Sequence, residues 1–426
     1  MEISQLYKIY QQNPSVQTDT RKLQKDDLFF ALKGPHFNGN LFAEKALEMG
    51  AAFAIIDEAP SVSNKRLILV ENALDTLQQL AKFHRQQLNI PFIAITGSNG
   101  KTTSKELIYA VLSSHFKTYT TQGNLNNHIG VPLTILSVQP DAEMAVIEMG
   151  ANHQKEIESY CSYTLPSHGL ITNCGKAHLE GFGGVEGVRK GKGELFDFLR
   201  THKGTAFVYA DYDYLLPMSE GIEHKVFYGQ SEGLIQGTVL WNNPFLKVAI
   251  TRGLSTPTLA SQLVGDYNLP NILCAAAIGK FFGVEDEKIA TAIAAYSPSN
   301  SRSQLMQMGS NQIILDAYNA NPTSMKAAIE NFAKLDAPQK IIMLGAMMEL
   351  GEESMAEHLA LVELIREYTW KEVVLVGGDF KNIAHGFTYF EDALQAKLWL
   401  ETQHFKDAYL LIKGSRSFKM ERVIGQ

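Results

Sequence analysis

Short apolar runs recur along the first part of the chain, and each is bounded by polar or glycine-containing turns. Such runs cover residues 28–32, 52–56 and 67–70, and a segment of helical periodicity covers residues 41–49 between the first two. Apolar runs of this length between turn residues are typical of short buried strands. The pattern predicts a small α/β domain over residues 1–88.

Alternating strands and helices begin again after Pro91. The strand-like runs of this second part are residues 92–96, 145–149, 169–172 and 206–209. Helical patterns separate these runs, as in the βαβ units that form parallel sheets. We therefore predict a second α/β domain over residues 89–300.

A third series of strand-like runs follows Arg302, at residues 313–316, 341–344, 373–376 and 409–412. The helices between them are predicted to begin near Pro322, Glu353 and Phe390. This part is predicted to be a third α/β domain, over residues 301–426. The predicted fold class of the whole chain is therefore α/β, with parallel sheets in three consecutive domains.

Composition and charge narrow the classes of function. Of 426 residues, 45% are hydrophobic and 19% are charged, so the chain can bury substantial cores. A formal net charge of -7 argues against a general affinity for nucleic acid or anionic membranes, because both select basic surfaces. The start lacks a signal-peptide pattern, and no apolar stretch approaches membrane-spanning length. The chain has three cysteines, Cys161, Cys174 and Cys274. They show no CxxC spacing, which fits a protein of a reducing compartment. We expect a cytoplasmic protein.

The strongest chemical signal is the segment TGSNGKTT at residues 96–103, between a predicted strand and a predicted helix. Its glycines let several backbone N–H groups face one phosphate, and the helix N-terminus adds positive potential. Lys101 can supply a charge to the phosphates, and Thr102 can reach Mg²⁺. The segment is not a strict Walker A motif, because the first glycine of that motif would fall at Ile95. It predicts a nucleotide phosphate cradle; the alternative is a glycine-rich turn that only caps a helix.

Polar residues follow the next two strands of the predicted central sheet. Glu148 ends one strand and is a suitable Mg²⁺ ligand, although a solvated strand-end glutamate is the alternative. His178 follows the next strand near the same crevice, but a lone histidine is more often structural than a ligand. Lys192 lies within the helical pattern of residues 186–199, and its residue type alone favours a solvated surface lysine.

The order of several segments resembles the Mur ligase family. The segments are GSNGKTT at residues 97–103, GNLNNHIGVPLT at 123–134, EMGA at 148–151, NCGKAHLEGFG at 173–183 and KGE at 192–194. The resemblance covers nearly the whole chain. It implies a three-domain architecture with a central P-loop ATPase domain on a parallel sheet and a carboxyl-terminal Rossmann-like domain. Members of the family activate a carboxylate as an acyl phosphate with ATP and then add an amine to it.

Two carboxyl-terminal segments are similar to the family member that adds D-alanyl-D-alanine. They are LDAYNANPTSM at residues 315–325 and KGSRS at residues 413–417. The substrates implied are UDP-N-acetylmuramoyl-tripeptide and D-alanyl-D-alanine, and the implied cofactors are ATP and Mg²⁺. A monomer is expected, without nucleic-acid or membrane partners.

The resemblance also implies roles for individual residues. The catalytic residues are Lys101, Glu148, His178 and Lys192. The nucleotide is bound by Gly97, Ser98, Asn99, Gly100, Lys101, Thr102, Thr103, Asn268, Asn271, Arg302 and Asp316. The metal ligands are Thr102, Glu148, His178 and Lys192, with Lys192 carbamylated by CO₂. The peptide and UDP-bearing substrates are bound by Asp19, Thr20, Arg21, Asn319, Asn321, Ser415 and Arg416.

Three positions depart from the family pattern. Tyr267 stands where many relatives carry histidine, Ala346 replaces a common aspartate, and Thr20 replaces a serine but keeps its hydroxyl.

Three other functions compete with ligation of D-alanyl-D-alanine. The nearest rival is a sister ligase that adds the third peptide residue, but the chain lacks a DNPR-type motif. A folylpolyglutamate synthase would leave the amino-terminal UDP-binding pattern without a purpose. A nucleotide-dependent binding module would need neither His178 nor Lys192.

Overall fold

The computed structural model describes residues 1–60, 63–299 and 301–425. Its larger sheets have four, nine and six strands, and each lies in a separate part of the chain. We refer to residues 3–87, 92–295 and 304–424 as the amino-terminal, central and carboxyl-terminal segments. The predicted domain limits at residues 300 and 426 lie outside the described residues. Within the described ranges, no helix is both long and apolar enough to cross a membrane.

The amino-terminal segment is built on a parallel sheet of order β1-β2-β5-β6. Its elements are α1 (Ile3–Gln12), β1 (Val16–Gln17), β2 (Leu28–Phe30), β3 (Lys33–Gly34), β4 (Phe37–Asn38), α2 (Ala43–Glu48), β5 (Phe53–Ile56), β6 (Leu67–Leu69) and α3 (Ala73–Gln87). Strand β2 contributes Leu28 and Phe30 to one apolar cluster and Phe29 to another, so both faces of the sheet are covered. The helix predicted at residues 41–49 begins at Ala43, after a 3₁₀ turn.

The central segment contains the nine-stranded sheet, of order β15-β14-β13-β12-β11-β10-β7-β9-β8. Its first elements are β7 (Phe92–Thr96), α4 (Lys101–Ser113), β8 (Thr118–Thr120), α5 (Gly130–Ser137), β9 (Met144–Glu148), α6 (Glu156–Thr164), β10 (His168–Ile171), α7 (Leu179–Phe182), α8 (Val185–Thr201), β11 (Thr205–Tyr209) and α9 (Leu215–Met218). They are followed by β12 (His224–Gly229), β13 (Ile235–Asn242), β14 (Phe245–Arg252), β15 (Thr258–Val264), α10 (Leu269–Phe281) and α11 (Asp286–Ala295). Every strand predicted here is present, within one residue at each end.

The far side of the central sheet differs from the prediction. Strands β13, β14 and β15 pair in antiparallel fashion, whereas the sequence predicted parallel units throughout this part. Strands β14 and β15 mix buried and exposed positions along their length. They therefore lack the continuous apolar run that marks a strand buried on both faces.

The carboxyl-terminal segment has a six-stranded sheet of order β16-β17-β21-β18-β19-β20, parallel except for β16. Its elements are β16 (Gln304–Met308), β17 (Asn311–Asp316), α12 (Pro322–Lys334), β18 (Lys340–Gly345), α13 (Ser354–Arg366), β19 (Glu372–Val376), β20 (Thr388–Phe390), α14 (Ala393–Gln403) and β21 (Tyr409–Lys413). The helix predicted near Phe390 was placed too early. Phe390 ends a strand, and Asp392 caps the helix by accepting hydrogen bonds from two backbone N–H groups.

The strand order brings three loops of the central segment together. Strand β7 lies between β9 and β10, and all three run parallel. Because carboxyl ends of parallel strands meet at one edge of a sheet, the loops that follow Thr96, Glu148 and Ile171 are neighbours. The carboxyl-terminal segment contacts this edge, where Lys176 N donates a hydrogen bond to Thr323 Oγ1 at 3.0 Å.

Candidate functional site

A cavity of about 760 Å³ lies between the central and carboxyl-terminal segments. The predicted site residues on its wall are Ser98, Asn99, Gly100, Lys101, Thr102, Thr103, Glu148, His178, Asn268, Asn271, Arg302, Asp316, Asn319 and Asn321. The predicted residues that are not part of this wall are Gly97, Lys192, Asp19, Thr20, Arg21, Ser415 and Arg416. The fold thus gathers most of the proposed nucleotide, metal and dipeptide residues in one place.

Two glycines explain how tightly the loop after strand β7 turns. Gly97 has a φ of +143°, and a Cβ atom there would lie 2.0 Å from Thr172 Oγ1. Gly100 has a φ of +79°, and a Cβ atom there would lie 2.7 Å from Asn271 Oδ1. Glycine alone avoids both the unfavourable backbone conformation and the close contact. The loop leads directly into helix α4, as expected for a loop that binds phosphate at a helix N-terminus.

A neighbouring loop holds the glycine-rich loop in shape. Asn99 N donates to Asn173 Oδ1 at 3.0 Å, and Asn173 Nδ2 donates to Asn99 O at the same distance. Thr172 Oγ1 also donates to Asn99 O, at 2.6 Å. These bonds join the loops after strands β7 and β10 and hold the glycine-rich loop against its neighbour.

Lys101 folds back over the loop that precedes it. Its Nζ donates to Gly97 O at 2.6 Å and to Ser98 O at 3.2 Å. Burial lowers the pKa of Lys101 to about 8, the charge of Glu148 opposes that shift, and the charge of Arg302 adds to it. A phosphate beside this amine would favour its charged form.

Glu148 is buried and has one carboxylate oxygen without a partner. Thr102 Oγ1 donates to Glu148 Oε1 at 3.2 Å, and Asn126 Nδ2 donates to the same oxygen at 2.7 Å. Glu148 Oε2 is buried without a hydrogen bond. An unpaired buried carboxylate oxygen is costly, and hard oxygens are what Mg²⁺ prefers. Thr102 and Glu148 therefore fit a magnesium site, although the described residues contain no cluster of three or more His, Cys, Asp and Glu side chains that would complete one.

His178 and Lys192 do not contact Glu148 in this structure. His178 Nδ1 lies 2.5 Å from Glu349 Oε2 of the carboxyl-terminal segment, and this contact lowers the pKa of the Glu349 carboxyl. Lys192 Nζ donates to Ala151 O at 2.8 Å and lies 4.8 Å from the centre of the Phe182 ring.

Lys192 is not the solvated lysine that its residue type favoured. Its side chain is 1% exposed, whereas Lys190, two residues earlier, is exposed. Burial lowers the pKa of Lys192 well below its ordinary value, and the nearby charge of Lys101 lowers it further. The amine is therefore held in surroundings that favour its neutral form.

Asn268 and Asn271 form part of one hydrogen-bond chain next to the glycine-rich loop. Asn271 Nδ2 donates to Asn268 Oδ1 at 2.9 Å, and Asn268 Nδ2 donates to Val264 O at 2.9 Å. Ser104 Oγ of helix α4 donates to Asn271 Oδ1 at 2.9 Å. The two amides are thus tied to the helix that follows the glycine-rich loop.

The carboxyl-terminal segment and the two residues just before it add charged groups to the same cavity. Asp316 Oδ2 pairs with the buried Lys413 Nζ at 2.5 Å, and Asp316 Oδ1 accepts a bond from Ser303 N at 3.1 Å. The guanidinium of Arg302 lies 3.6 Å from the centre of the Tyr318 ring, and its Nε is buried without a hydrogen bond. Arg302 thus has a donor available for a further acceptor.

Comparison with known proteins identifies the family. Family models match three consecutive parts of the chain: the Mur ligase family catalytic domain at residues 14–93, the Mur ligase middle domain at 95–279, and the Mur ligase glutamate ligase domain at 301–416. A relative from Escherichia coli, named UDP-N-acetylmuramoyl-tripeptide--D-alanyl-D-alanine ligase, is 37% identical, with 96% of this chain and 92% of the relative covered. The chain belongs to the Mur ligase family.

Solved structures agree with this assignment. MurF from Acinetobacter baumannii is 29% identical to this Mur ligase and superposes with a TM-score of 0.88, covering 96% of this chain and 92% of that one. MurF ligase from Thermotoga maritima, solved in complex with ADP, is 26% identical, with a TM-score of 0.86 and coverage of 97% and 96%. The predicted three-domain Mur ligase architecture is confirmed.

Several predicted binding residues of this Mur ligase lie away from the cavity. In the part of the chain that the structure describes, Arg21 pairs only with Asp19, two residues earlier, and its side chain is 86% exposed. Arg416 is exposed and pairs with Glu421 at 3.2 Å, and its guanidinium lies 5.8 Å from the ring centre of Tyr318, which is on the cavity wall. Ser415 is buried, and its backbone N donates to Ala346 O at 3.3 Å. Their roles in binding stay predictions.

Sequence reasoning missed other residues on the cavity wall of this Mur ligase. Asn126, which donates to Glu148, lies within the GNLNNHIGVPLT segment that carried the family resemblance but was given no role. Lys413 lies within KGSRS, and Tyr318 lies within LDAYNANPTSM. Each of these three residues lies in a segment that carried the family resemblance. Their positions on the cavity wall became apparent only from the contacts in the structure. Glu349, which is not on the wall, was given no role either, because its contact with His178 joins two distant parts of the chain.

Proposed function

We propose that this protein joins D-alanyl-D-alanine to UDP-N-acetylmuramoyl-tripeptide, using ATP and releasing ADP and phosphate. The observation that carries the proposal is that one cavity is lined by groups suited to each substrate. It places the glycine-rich loop and the buried carboxylate of Glu148 opposite Asn319 and Asn321 of the segment that resembles the dipeptide-adding family member. The named relative supports the same reaction, because the family resemblance extends over nearly its whole length.

The nucleotide would lie over the glycine-rich loop, with its adenine toward Asn268 and Asn271. Residues 97–103 bind its phosphates through backbone N–H groups, and Lys101 exchanges its two carbonyl partners for the transferring phosphoryl group. Asn268 and Asn271 lie at the adenine end. Asp316 holds the ribose, and Arg302 places its unpaired donor toward the phosphates.

Thr102 and Glu148 are the residues that would hold Mg²⁺. When bound, Mg²⁺ neutralises phosphate charge that would otherwise repel the substrate carboxylate. Asn126 fixes the carboxylate of Glu148 through its 2.7 Å bond to Oε1, which leaves Oε2 free for a ligand. His178 and Lys192 are proposed as further ligands.

The chemistry then has two stages. A carboxylate oxygen of the tripeptide attacks the γ-phosphorus of ATP in line, and the bond to ADP breaks, which forms an acyl phosphate. The free amine of D-alanyl-D-alanine attacks the acyl carbon, and the tetrahedral intermediate expels phosphate as the amide forms and the amine proton is lost. Lys101 stabilises the charge on the transferring group, and enclosure of the cavity by two segments limits hydrolysis of the acyl phosphate.

Carbamylation of Lys192 is part of the proposal. CO₂ reacts with a neutral amine, and burial together with the charge of Lys101 favours that form of Lys192. A carbamate keeps one N–H, so the hydrogen bond to Ala151 O can persist after modification. It also replaces a cation by oxygens that suit Mg²⁺.

The remaining roles complete the proposal. Asp19, Thr20 and Arg21 bind the UDP end of the substrate within a domain of residues 1–88. The ATP-binding domain covers residues 89–300. Asn319, Asn321, Ser415 and Arg416 bind the dipeptide within a domain of residues 301–426. The enzyme acts as a monomer in the cytoplasm, where ATP and nucleotide-linked precursors are available.

The experiment that tests the function is phosphate release measured with each substrate omitted in turn. We expect release only when ATP, UDP-tripeptide and D-alanyl-D-alanine are all present, with one amide formed for each phosphate. Replacing D-alanyl-D-alanine by single amino acids, and UDP-tripeptide by UDP-dipeptide, tests the rival ligase that adds the third residue. Phosphate release at full rate without either peptide would replace the ligase by a simple nucleotidase.

A further inference from the structure

Arg302 stands in a short turn between the central and carboxyl-terminal segments, on the cavity wall. The residues on either side of it, Ser301 and Ser303, have φ values of +56° and +48°, which non-glycine residues rarely adopt. Such conformations persist where surrounding contacts enforce them, and they concentrate at functional sites. The turn that presents Arg302 to the cavity therefore depends on partners outside itself.

Hydrogen bonds to both adjoining segments hold this turn. On the carboxyl-terminal side, Ser303 N donates to Asp316 Oδ1 at 3.1 Å, and Tyr318 N donates to Ser301 O at 3.2 Å. On the central side, the hydroxyl of Tyr267 lies 3.0 Å from Ser303 Oγ, and either oxygen can be the donor. Tyr267 thus joins the central segment to the turn that carries Arg302.

The Tyr267 ring is supported by the backbone of the central segment. It lies in the 3₁₀ turn Asp266–Asn268, which follows strand β15. A Cβ atom at Gly265 would lie 2.3 Å from Tyr267 Cε1, so the ring packs directly on the Gly265 backbone. The next side chain along, that of Asn268, donates to Val264 O at 2.9 Å. The hydroxyl that meets Ser303 is therefore presented by a ring in a well-supported turn.

Arg302 has a donor without a partner among the described residues. Its guanidinium lies 3.6 Å from the centre of the Tyr318 ring, and its Nε is buried without a hydrogen bond. A buried donor on a cation suits an anionic acceptor. Apparent affinity falls with the fraction of free molecules that hold the binding arrangement. The affinity gained from Arg302 therefore depends on how firmly the turn is held before the ligand arrives.

We propose that Tyr267 is a positioning residue, whose hydroxyl holds Ser303 and thereby the turn, so that Arg302 meets the nucleotide phosphates already in place. The inference rests on the nucleotide-binding role of Arg302 under the proposed function. Tyr267 also lies on the cavity wall, so direct contact of its side chain with the nucleotide is the alternative.

The experiment measures binding of ADP with Mg²⁺ to the full-length protein by calorimetry. It compares the wild type with Tyr267→Phe, Arg302→Ala and the variant that carries both changes. Arg302→Ala should weaken binding by about 10- to 100-fold, the loss expected for one hydrogen bond to a charged group. Tyr267→Phe should weaken it by about 3- to 10-fold, in the range of one neutral hydrogen bond. The double variant should bind within about twofold of Arg302→Ala, because residues that act through one another are not additive.

Tyr389→Phe is the matched control. Tyr389 lies on strand β20, and its hydroxyl donates to Glu391 Oε2 at 3.2 Å, away from the cavity wall. The substitution makes the same chemical change and also removes a hydrogen bond. Its affinity for ADP should stay within about twofold of the wild type, because surface substitutions of this kind have small effects.

Ser303→Ala removes the same bond from the other side. It should weaken ADP binding about as much as Tyr267→Phe does, and the two changes together should weaken it no further. This pair of variants keeps the proposal testable if Tyr267→Phe does not fold.

Wild-type affinity in Tyr267→Phe, together with weaker binding by Arg302→Ala, would overturn the proposal. A full further loss on adding Tyr267→Phe to Arg302→Ala would also overturn it, because Tyr267 would then act on the nucleotide directly. Wild-type affinity in Arg302→Ala would remove the assigned role of Arg302 and the inference with it. A failure of the ligase function would appear separately, as phosphate release without peptides, and would leave the ADP affinities as they are.

Discussion

The glycine-rich loop and the Asp19–Arg21 turn are both proposed to bind the phosphate-bearing ends of substrates, but they are built differently. The loop is tied down by bonds from Asn173 and Thr172, and Lys101 already has two carbonyl partners. Among the described residues, the Arg21 side chain bonds only to Asp19, and it is 86% exposed. The first region is held in place by a neighbouring loop, whereas the recorded bonds of the second join residues that are close in the sequence.

This difference predicts whether a substitution in each region changes the rate of the chemical step or the binding of the substrate. A preorganised charge in partly buried surroundings stabilises charge that develops during the reaction, so its loss should lower the rate of the chemical step. An exposed arginine in water contributes mainly to holding the substrate, so its loss should change the apparent binding constant. The following experiments contrast these two expectations.

Replacing Lys101 by alanine should have the largest effect. We expect kcat to fall by about 10³-fold or more, because the amine acts on the transferring phosphoryl group. Thermal unfolding should stay near that of the wild type, since the hydrogen bonds of Lys101 Nζ to described residues are to carbonyls of its own loop. Lys190→Ala, at an exposed lysine, is the control. An active Lys101→Ala enzyme would contradict the phosphate-cradle assignment.

Replacing Lys192 tests whether this buried lysine of helix α8 serves as a metal ligand after modification. Lys192→Ala should lower turnover by about 100-fold, at the upper end of the cost of disturbing a metal site. Added short carboxylates should restore part of the activity by occupying the vacated position, whereas Lys190→Ala should remain active. Mass spectrometry of intact protein in bicarbonate provides a check on the carbamate.

Carbamylation of Lys192 would be wrong if two results came together. One is an amine without further density in a crystal of the nucleotide and Mg²⁺ complex grown with bicarbonate. The other is a Lys192→Ala enzyme of ordinary activity.

Replacing Arg21 tests the exposed region. Arg21→Ala should raise KM for UDP-tripeptide by about tenfold, the loss expected for one charged hydrogen bond, while KM for ATP stays unchanged. Lys22→Ala removes an adjacent exposed cation and serves as the control. A larger change in KM for ATP than for UDP-tripeptide would show that the amino-terminal segment acts on the other ligand.

The smallest expected effect is a pH dependence of nucleotide binding. Burial lowers the pKa of Lys101 to about 8, so the amine of the empty protein loses its proton as the pH rises through that value. Nucleotide phosphates favour the charged amine, and affinity should therefore weaken by about fourfold between pH 7 and pH 8.5. Calorimetry in two buffers of different ionisation enthalpy should show proton uptake on binding at pH 8.5 and much less in Lys101→Ala.

Local sequence signals were sufficient where structure depends on neighbours along the chain. The apolar run at Phe92–Thr96 and the glycines at positions 97 and 100 predicted the strand, the turn and the start of the next helix. The signal failed where strands lie half exposed, as in β14 and β15, because no continuous apolar run marks them. It also placed the helix after Phe390 too early, although Asp392 is an ordinary helix cap.

By itself, the sequence determined the family, the α/β fold class and 14 residues of the cavity wall, because these depend on local motifs and on their order along the chain. Only the tertiary structure decided that Lys192 is buried, that Glu148 has an unpaired oxygen, and that Glu349 reaches His178. Burial and contacts across segments depend on how distant parts of the chain pack. The residues adjacent to a position in the sequence do not show which distant residues will pack against it.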